Sequence, residues 1–191
     1  MKNKLTDIFA NSVVRMIVAL AIVGTVSGAA LVLVYNYSMP KIKVNMKADT
    51  ERAIKDIFPQ TDKIQNTKEE GVFKAVDSSG KLLGYAFLAE GNGYQGTIKM
   101  IAGVDGSITT MNGMEVLESQ ETPGLGAEIA DDKFRKQFNG LSLSHEIEYV
   151  KNEKPQQPYE IEAITGATIS SRSVVHILNK RIGEIRKALK G

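Results

Sequence analysis

The sequence predicts an α+β protein: one N-terminal transmembrane helix, then a single domain with a mainly antiparallel sheet and flanking helices. Three observations carry that expectation. No charged residue occurs from Met16 to Pro40, strand-like runs alternate with turn residues between Gly71 and Glu118, and Ser171 to Lys190 places its apolar residues on one helical face. The chain has 191 residues, 42% hydrophobic and 24% charged, with 5 prolines, which excludes a mainly disordered, collagenous or all-membrane protein. Its 24 Lys and Arg against 22 Asp and Glu leave a net charge of +2, so no strongly basic field argues for nucleic acid. With no cysteine, the chain itself supplies no disulfide, thiolate zinc site, iron–sulfur ligand, thiol nucleophile or lipid-carrying thiol.

The first element is the apolar run Met16 to Tyr35, MIVALAIVGTVSGAALVLVY, long enough for a hydrocarbon core that needs roughly 20 helical residues. It continues through Leu31-Val32-Leu33-Val34, past the small cluster Ser27 to Ala30. That length favours an uncleaved anchor over a signal peptide, whose apolar core would stop earlier. Tyr35 and Tyr37 fall where amphipathic rings favour the headgroup layer. Lys2, Lys4 and Arg15 before the helix and Lys41, Lys43 and Lys47 after it do not distinguish the two sides. Gly24 and Gly28 form a GxxxG pair, which reads either as a flat face for another membrane helix or as glycines tolerated in lipid. The expected division is an N-terminal segment over residues 1–15, a membrane helix over 16–38, a linker and first helix over 39–59 and the domain over 60–191.

After the linker-like Pro40 to Lys43, the residues Ala53, Ile54, Ile57 and Phe58 mark one face of a helix that Pro59 ends. Gly71 to Asp77 and Lys81 to Ala89 flank Ser78-Ser79-Gly80 as a hairpin. Gly96 to Val104, Gly106 to Thr110 and Glu115 to Glu118 continue the strand pattern. Asp131 to Phe138, closed by Asn139-Gly140, reads as a short capped helix. Glu146 to Val150 and Tyr159 to Ile164 are strands around the polar stretch Asn152 to Pro158. In the last helix Val174, Leu178, Ile182, Ile185 and Leu189 share a face. Gly91 to Gly96 spells G-x-G-x-x-G, but strand formers follow it where a dinucleotide fold requires a helix, so it reads as a loop near a ligand.

Two stretches carry candidate chemistry. In Ile164-Thr165-Gly166-Ala167-Thr168-Ile169-Ser170-Ser171, small residues and hydroxyls stand just before a helix N-terminus, where free amides and the dipole favour a phosphate. The plainer alternative is that Ser170 or Ser171 caps the helix while Gly166 makes a turn. In Glu121-Thr122-Pro123-Gly124-Leu125-Gly126, Pro123 stiffens a loop whose glycines expose amides. Leu125 at its tip is either a surface for a flat ring or a core residue. His145 and His176 each stand alone, without a ligand at metal spacing.

ETPGLG followed by TGATISS, together with GYQGTIKMIAGVD, KFRKQF and the single N-terminal helix, all in order, resembles one known family. It is the FMN-binding domain shared by the G subunit of the Rnf electron-transport complex and the C subunit of the sodium-pumping NADH:quinone oxidoreductase. The compact length is more similar to the Rnf protein. The resemblance implies a phosphoester between FMN and the last threonine of [S/T/D]-G-A-T-x-[S/T], here Thr168, with Thr165 at the motif's first position in place of the usual serine or aspartate. It also implies that a flavin transferase, using FAD and magnesium, installs the bond. Thr168 has no His or Lys within three residues to activate it, which agrees with an external enzyme. Where the family often has a histidine before ETPGLG, this chain has Ser119-Gln120.

The expected cofactor contacts are thus Thr168 covalently, with Thr165, Gly166, Ala167, Ser170 and Ser171 around it. Leu125 and the amides at Gly124 and Gly126 would meet the ring and its polar edge, with Glu121 and Thr122 in support and Tyr94 as a stacking residue. No metal site and no catalytic acid or base is expected in this chain. The implied function is a membrane-anchored electron carrier in an Rnf-type ferredoxin:NAD oxidoreductase coupled to sodium or proton movement. Its implied partners are the other proteins of the complex and the lipid bilayer, with residues 1–15 cytoplasmic and the domain outside. The competing expectations are the C subunit of the quinone reductase, and a non-redox anchored binding or assembly module.

Overall fold

The computed structural model describes residues 12–190; residues 1–11, which include Lys2 and Lys4 of the expected N-terminal segment, and Gly191 lie outside the described residues. The chain divides into two compact units, up to Lys47 and from Ala48 onward.

The described residues of the first unit lie within helix α1, Ser12–Ile57. By length and composition α1 can cross a membrane. In its apolar run side chains such as Leu20, Val26, Leu31 and Leu33 are exposed. Apart from the helix's own nearby backbone, no atom of the described residues lies within 4 Å of a Cβ built on Gly24 or Gly28, so the face they define is bare among the described residues. Where the apolar run ends, Lys41 Nζ donates to Tyr37 Oη at 2.8 Å and lies 4.1 Å from the Tyr37 ring centre, a pairing of cation and amphipathic ring. The expected linker at Pro40 is absent: Pro40 sits inside the helix. The missing amide removes one helical hydrogen bond, and the helix-forming residues on both sides carry the turn through.

In the second unit, five strands form an antiparallel meander in chain order: β1, Lys63–Asn66; β2, Val72–Val76; β3, Leu82–Asn92; β4, Thr97–Asp105; β5, Met111–Ser119. The strand β4 is buried on both faces. On one face Ile98, Met100, Ala102 and Val104 belong to the main core with Phe87, Phe134, Phe138, Leu178 and Ile182. On the other, Ile101 packs with Ala75, Ala86 and the end of α1 through Ala53, Ile54, Ile57 and Phe58. The unit that begins at Ala48 therefore takes in the last turns of α1 as the cover of its sheet. Gly84 and Gly103 make room for that cover: a Cβ at Gly103 would stand 2.7 Å from Phe58 Cε2, and one at Gly84 2.8 Å from Phe58 Cε1.

Gly106 to Thr110, expected to extend the strands, is instead a turn. The Asp105 carboxylate captures the backbone N–H groups of Thr109 at 2.7 Å and Thr110 at 2.9 Å, and Ile108 adopts a φ of 58°. The expected Asp131–Phe138 helix is shorter: α2, Asp132–Arg135, runs into a 3-10 turn at Lys136–Phe138, without a side-chain cap from Asp131. Strands β6, Glu148–Val150, and β7, Glu160–Glu162, form a separate two-stranded sheet, and they pair in parallel. Side-chain amides tie this sheet in place. Gln137 exchanges hydrogen bonds with the backbone of Glu162, and Asn179 does so with Ile147. The last helix, α3, Thr168–Lys190, buries Val174, Leu178, Ile182 and Ile185 as its spacing predicts, with Leu189 partly buried against the same core. Full burial of such a side chain stabilises by about 1.5–3 kcal/mol.

Candidate functional site

Three segments far apart in sequence meet at the start of α3. They are the turn between β3 and β4, the loop after β5, and Gly166 to Ser170. Glu121 joins them. Its Oε1 accepts the backbone N–H groups of Tyr94 at 2.7 Å and Gln95 at 3.0 Å, and its Oε2 accepts the Ser170 hydroxyl at 2.5 Å. Burial pushes the Glu121 carboxyl up, but the donors from Ser170, Gln95, Tyr94 and Gly96 outweigh it and hold the group below its ordinary value. A buried carboxylate is tolerable only when so satisfied. Gly126 is packed against this knot, where a Cβ would lie 2.5 Å from Ser170 Oγ. The Thr122 hydroxyl donates to the Gln95 side-chain carbonyl and closes the loop pair on the outside.

Beside the knot lies an open cleft of about 460 Å³. Tyr94, the loop residues Glu121, Thr122, Leu125 and Gly126, Lys151 and the run Gly166 to Ser170 line it together. The size falls in the range that encloses a small organic ligand. Leu125 is 48% exposed, Ile169 45% and Tyr94 68%, so three apolar or aromatic surfaces face the opening instead of the core. The core alternative for Leu125 is thereby overturned. Gly166, at φ 85°, makes the turn into the helix and holds its Cα close to Leu125, whose Cδ2 would lie 3.5 Å from a built Cβ.

The capping alternative for the serines also fails. Ser170 donates to Glu121, while Ser171 donates to the Ala167 carbonyl at 3.1 Å and accepts the Ile164 N–H at 3.0 Å. The helix opens with Ala167 as its first carbonyl acceptor, from Ser171 N–H at 3.1 Å, and no side chain among the described residues caps the amides of Thr168, Ile169 and Ser170. Thr168, half-buried, therefore stands with its hydroxyl at an uncapped helix N-terminus, where positive partial charge favours an anion.

Of the residues expected from sequence, the cleft gathers Tyr94, Glu121, Thr122, Leu125, Gly126, Gly166, Ala167, Thr168 and Ser170. Three stand apart. Thr165 lines a smaller neighbouring cavity of about 150 Å³, Ser171 is an internal brace, and Gly124, at φ 72°, shapes the loop. Glu121, expected as a polar contact, spends both oxygens inside the protein. Ile169 and Lys151 were missed. Ile169 lies within the motif itself, whereas nothing local marks Lys151, which reaches the cleft through the parallel pairing of β6 with β7. The histidines play no part here: His145 stacks at 4.8 Å on Tyr159, and His176 is exposed on α3.

The cradle fits an FMN group: a phosphate-sized anion site at an uncapped helix start, close backbone at Gly126 and Gly166, and apolar surfaces for a ring. The chain matches the model of the FMN-binding domain over residues 93–183, so fold and cleft define a flavin-binding domain. It is 31% identical over 180 residues to the G subunit of the ion-translocating oxidoreductase complex of Methanosarcina acetivorans, spanning 89% of this chain and 93% of that one. It is 28% identical to the G subunit of the proton-translocating ferredoxin:NAD(+) oxidoreductase complex of Clostridium ljungdahlii, over 92% of each. The fold is that of the C subunit of the Na(+)-translocating NADH-quinone reductase of Parabacteroides distasonis, at TM-score 0.51 and 29% identity, covering 57% of each chain. The chain belongs to the family of G subunits of ion-translocating oxidoreductase complexes, whose domain is shared with the quinone-reductase C subunits.

Proposed function

We propose that this protein is the flavin-carrying member of an Rnf-type complex, relaying electrons between ferredoxin-side and NAD-side carriers while other subunits move sodium or protons. The observation that supports it most is Thr168, a hydroxyl at an uncapped helix N-terminus inside a cleft with exposed Leu125, Ile169 and Tyr94. FMN joined to Thr168 through its phosphate supplies the electron-accepting chemistry, and the protein's task is to place and shield it.

The chain's own residues divide that task. The amides of Thr168 to Ser170 and the dipole of α3 offset phosphoryl charge. Leu125, Ile169 and Tyr94 offer surfaces to the ring, with Thr122 and the amide of Gly126 at its polar edge. Glu121 touches no ligand; it fixes the distance between the ring-side loops and the helix start through Ser170. That carboxylate is already held by its donors, so it is a poor base for Thr168, and a separate flavin transferase using FAD and magnesium makes the bond. A covalent tether suits a cofactor on the outer face of a membrane, where lost FMN is not replaced. The domain accordingly faces outward, α1 anchors it in the lipid bilayer over residues 16–38, and residues 1–15 stay in the cytoplasm.

Alignment over 93% of the Methanosarcina G subunit and 92% of the Clostridium one supports the Rnf assignment over the quinone reductase. Denaturing-gel fluorescence of the chain produced with an active flavin transferase tests the proposal. The wild type should fluoresce and Thr168→Ala should be dark while keeping its fold; a fluorescent Thr168→Ala would overturn the attachment residue.

A further inference from the structure

We propose that Lys151 is the cationic arm of the phosphoryl-binding end of the cleft. The inference rests on the proposed reading that this cleft holds the flavin nucleotide. Two charged side chains line the cleft, Glu121 and Lys151, and Glu121 is engaged by the Ser170 hydroxyl and two backbone amides. Lys151 is exposed and forms no ion pair among the described residues. A cation on the wall of a ligand cleft, with no ion-pair partner among the described residues, is available for a charge-assisted bond to an anionic ligand.

The topology says which end of the cleft it serves. Lys151 follows β6 directly, and β6 runs parallel to β7 with Val150 beside Glu162. The Ala163 N–H donates to the Val150 carbonyl at 2.9 Å, so the parallel alignment continues past the strand ends. Lys151 is therefore held next to Ala163 and Ile164, at the root of the loop Thr165 to Ala167 that delivers Thr168. Tyr94, Thr122 and Leu125, the proposed surfaces for the ring, come from other loops of the same cleft. Asn152, at φ 56°, turns the chain immediately after Lys151. Lys151 and the three amides of the α3 start thus reach one cleft from two separate elements. Such a pairing attracts the phosphoryl group of an incoming flavin nucleotide before any bond to Thr168 exists, and partly neutralises the ester afterwards.

The test uses the full chain in detergent, produced without flavin transferase so that Thr168 is free. Titration with FMN and with riboflavin, which lacks the phosphate, reads the phosphoryl contribution as the ratio of the two affinities. Lys151→Ala and the length-preserving Lys151→Gln should each weaken FMN by about tenfold, the effect of one charge-assisted contact, and leave riboflavin unchanged. Lys151→Arg should retain most of the FMN preference. Raising the salt should shrink that preference in the wild type more than in Lys151→Ala. An unchanged FMN-to-riboflavin ratio in Lys151→Ala, or equal loss of both ligands, would overturn the role of Lys151 alone. A wild-type chain that binds neither flavin would likewise overturn the capture role of Lys151, whereas a Thr168 left bare by a working flavin transferase would remove the reading beneath it.

Discussion

Glu121 shows how one buried side chain sets a binding site without touching its ligand. Glu121→Gln keeps the shape but replaces charge-assisted hydrogen bonds with neutral ones and makes the Ser170 hydroxyl accept instead of donate, at about 1–3 kcal/mol in total. The variant should melt lower and take up less flavin, measured by thermal unfolding and by bound-flavin absorbance; wild-type values for both would contradict the role. The same carboxyl sits below its ordinary value of 4.5 in the folded chain, so its contribution is complete above pH 4.5 and fades as the pH falls below it. Flavin uptake by the chain should weaken over that acidic range, and Glu121→Gln should flatten the dependence. The sequence showed that Glu121 belonged to the site but not its role, because the donors that hold it are supplied by residues 26, 27 and 49 positions away.

Local patterning made the last helix legible, with its apolar face at Val174, Leu178, Ile182 and Ile185, and the hairpin around Ser78 to Gly80. Other elements depended on partners the pattern does not contain. The turn after β4 read as strand because Ile108, Thr109 and Thr110 are strand formers, yet the Asp105 carboxylate collects two backbone amides and the hydroxyls of Ser107 and Thr109. Burial works against ionisation there, but those donors lower the Asp105 carboxyl from 3.8 to about 2. Its stabilisation is present above pH 3.8 and is lost as the pH falls toward 2, an effect of about 1 kcal/mol after allowance for solvent screening. Asp105→Ala should lower the melting temperature at neutral pH and remove this part of the acid dependence. The parallel β6 and β7 pair was likewise invisible, since a three-residue strand carries no mark of its partner's direction. Gly103→Ala tests the other face of the sheet. Its Cβ would press on Phe58, and overpacking of this kind costs about 1–3 kcal/mol, read as a lower unfolding midpoint.

Both hydrophobic clusters, the sheet and the cleft lie within the unit from Ala48 to Gly191. A fragment over 48–191 should therefore be soluble without detergent and unfold cooperatively, by circular dichroism; a fragment starting at residue 60 should be less stable, because Ala53, Ile54, Ile57 and Phe58 cover one face of the sheet. The long apolar helix was readable from the absence of charge alone, whereas its continuity was hidden by Pro40, which looks like a break and lies inside α1. What unites sheet, loops and last helix is one arrangement, a hydroxyl at an uncapped helix start beside surfaces suited to a ring. The most direct measurement is the mass of the peptide containing Thr168, released from the full chain purified from its native host. It should carry FMN less one water at Thr168; a bare threonine there, in material made with a working flavin transferase, would contradict the account.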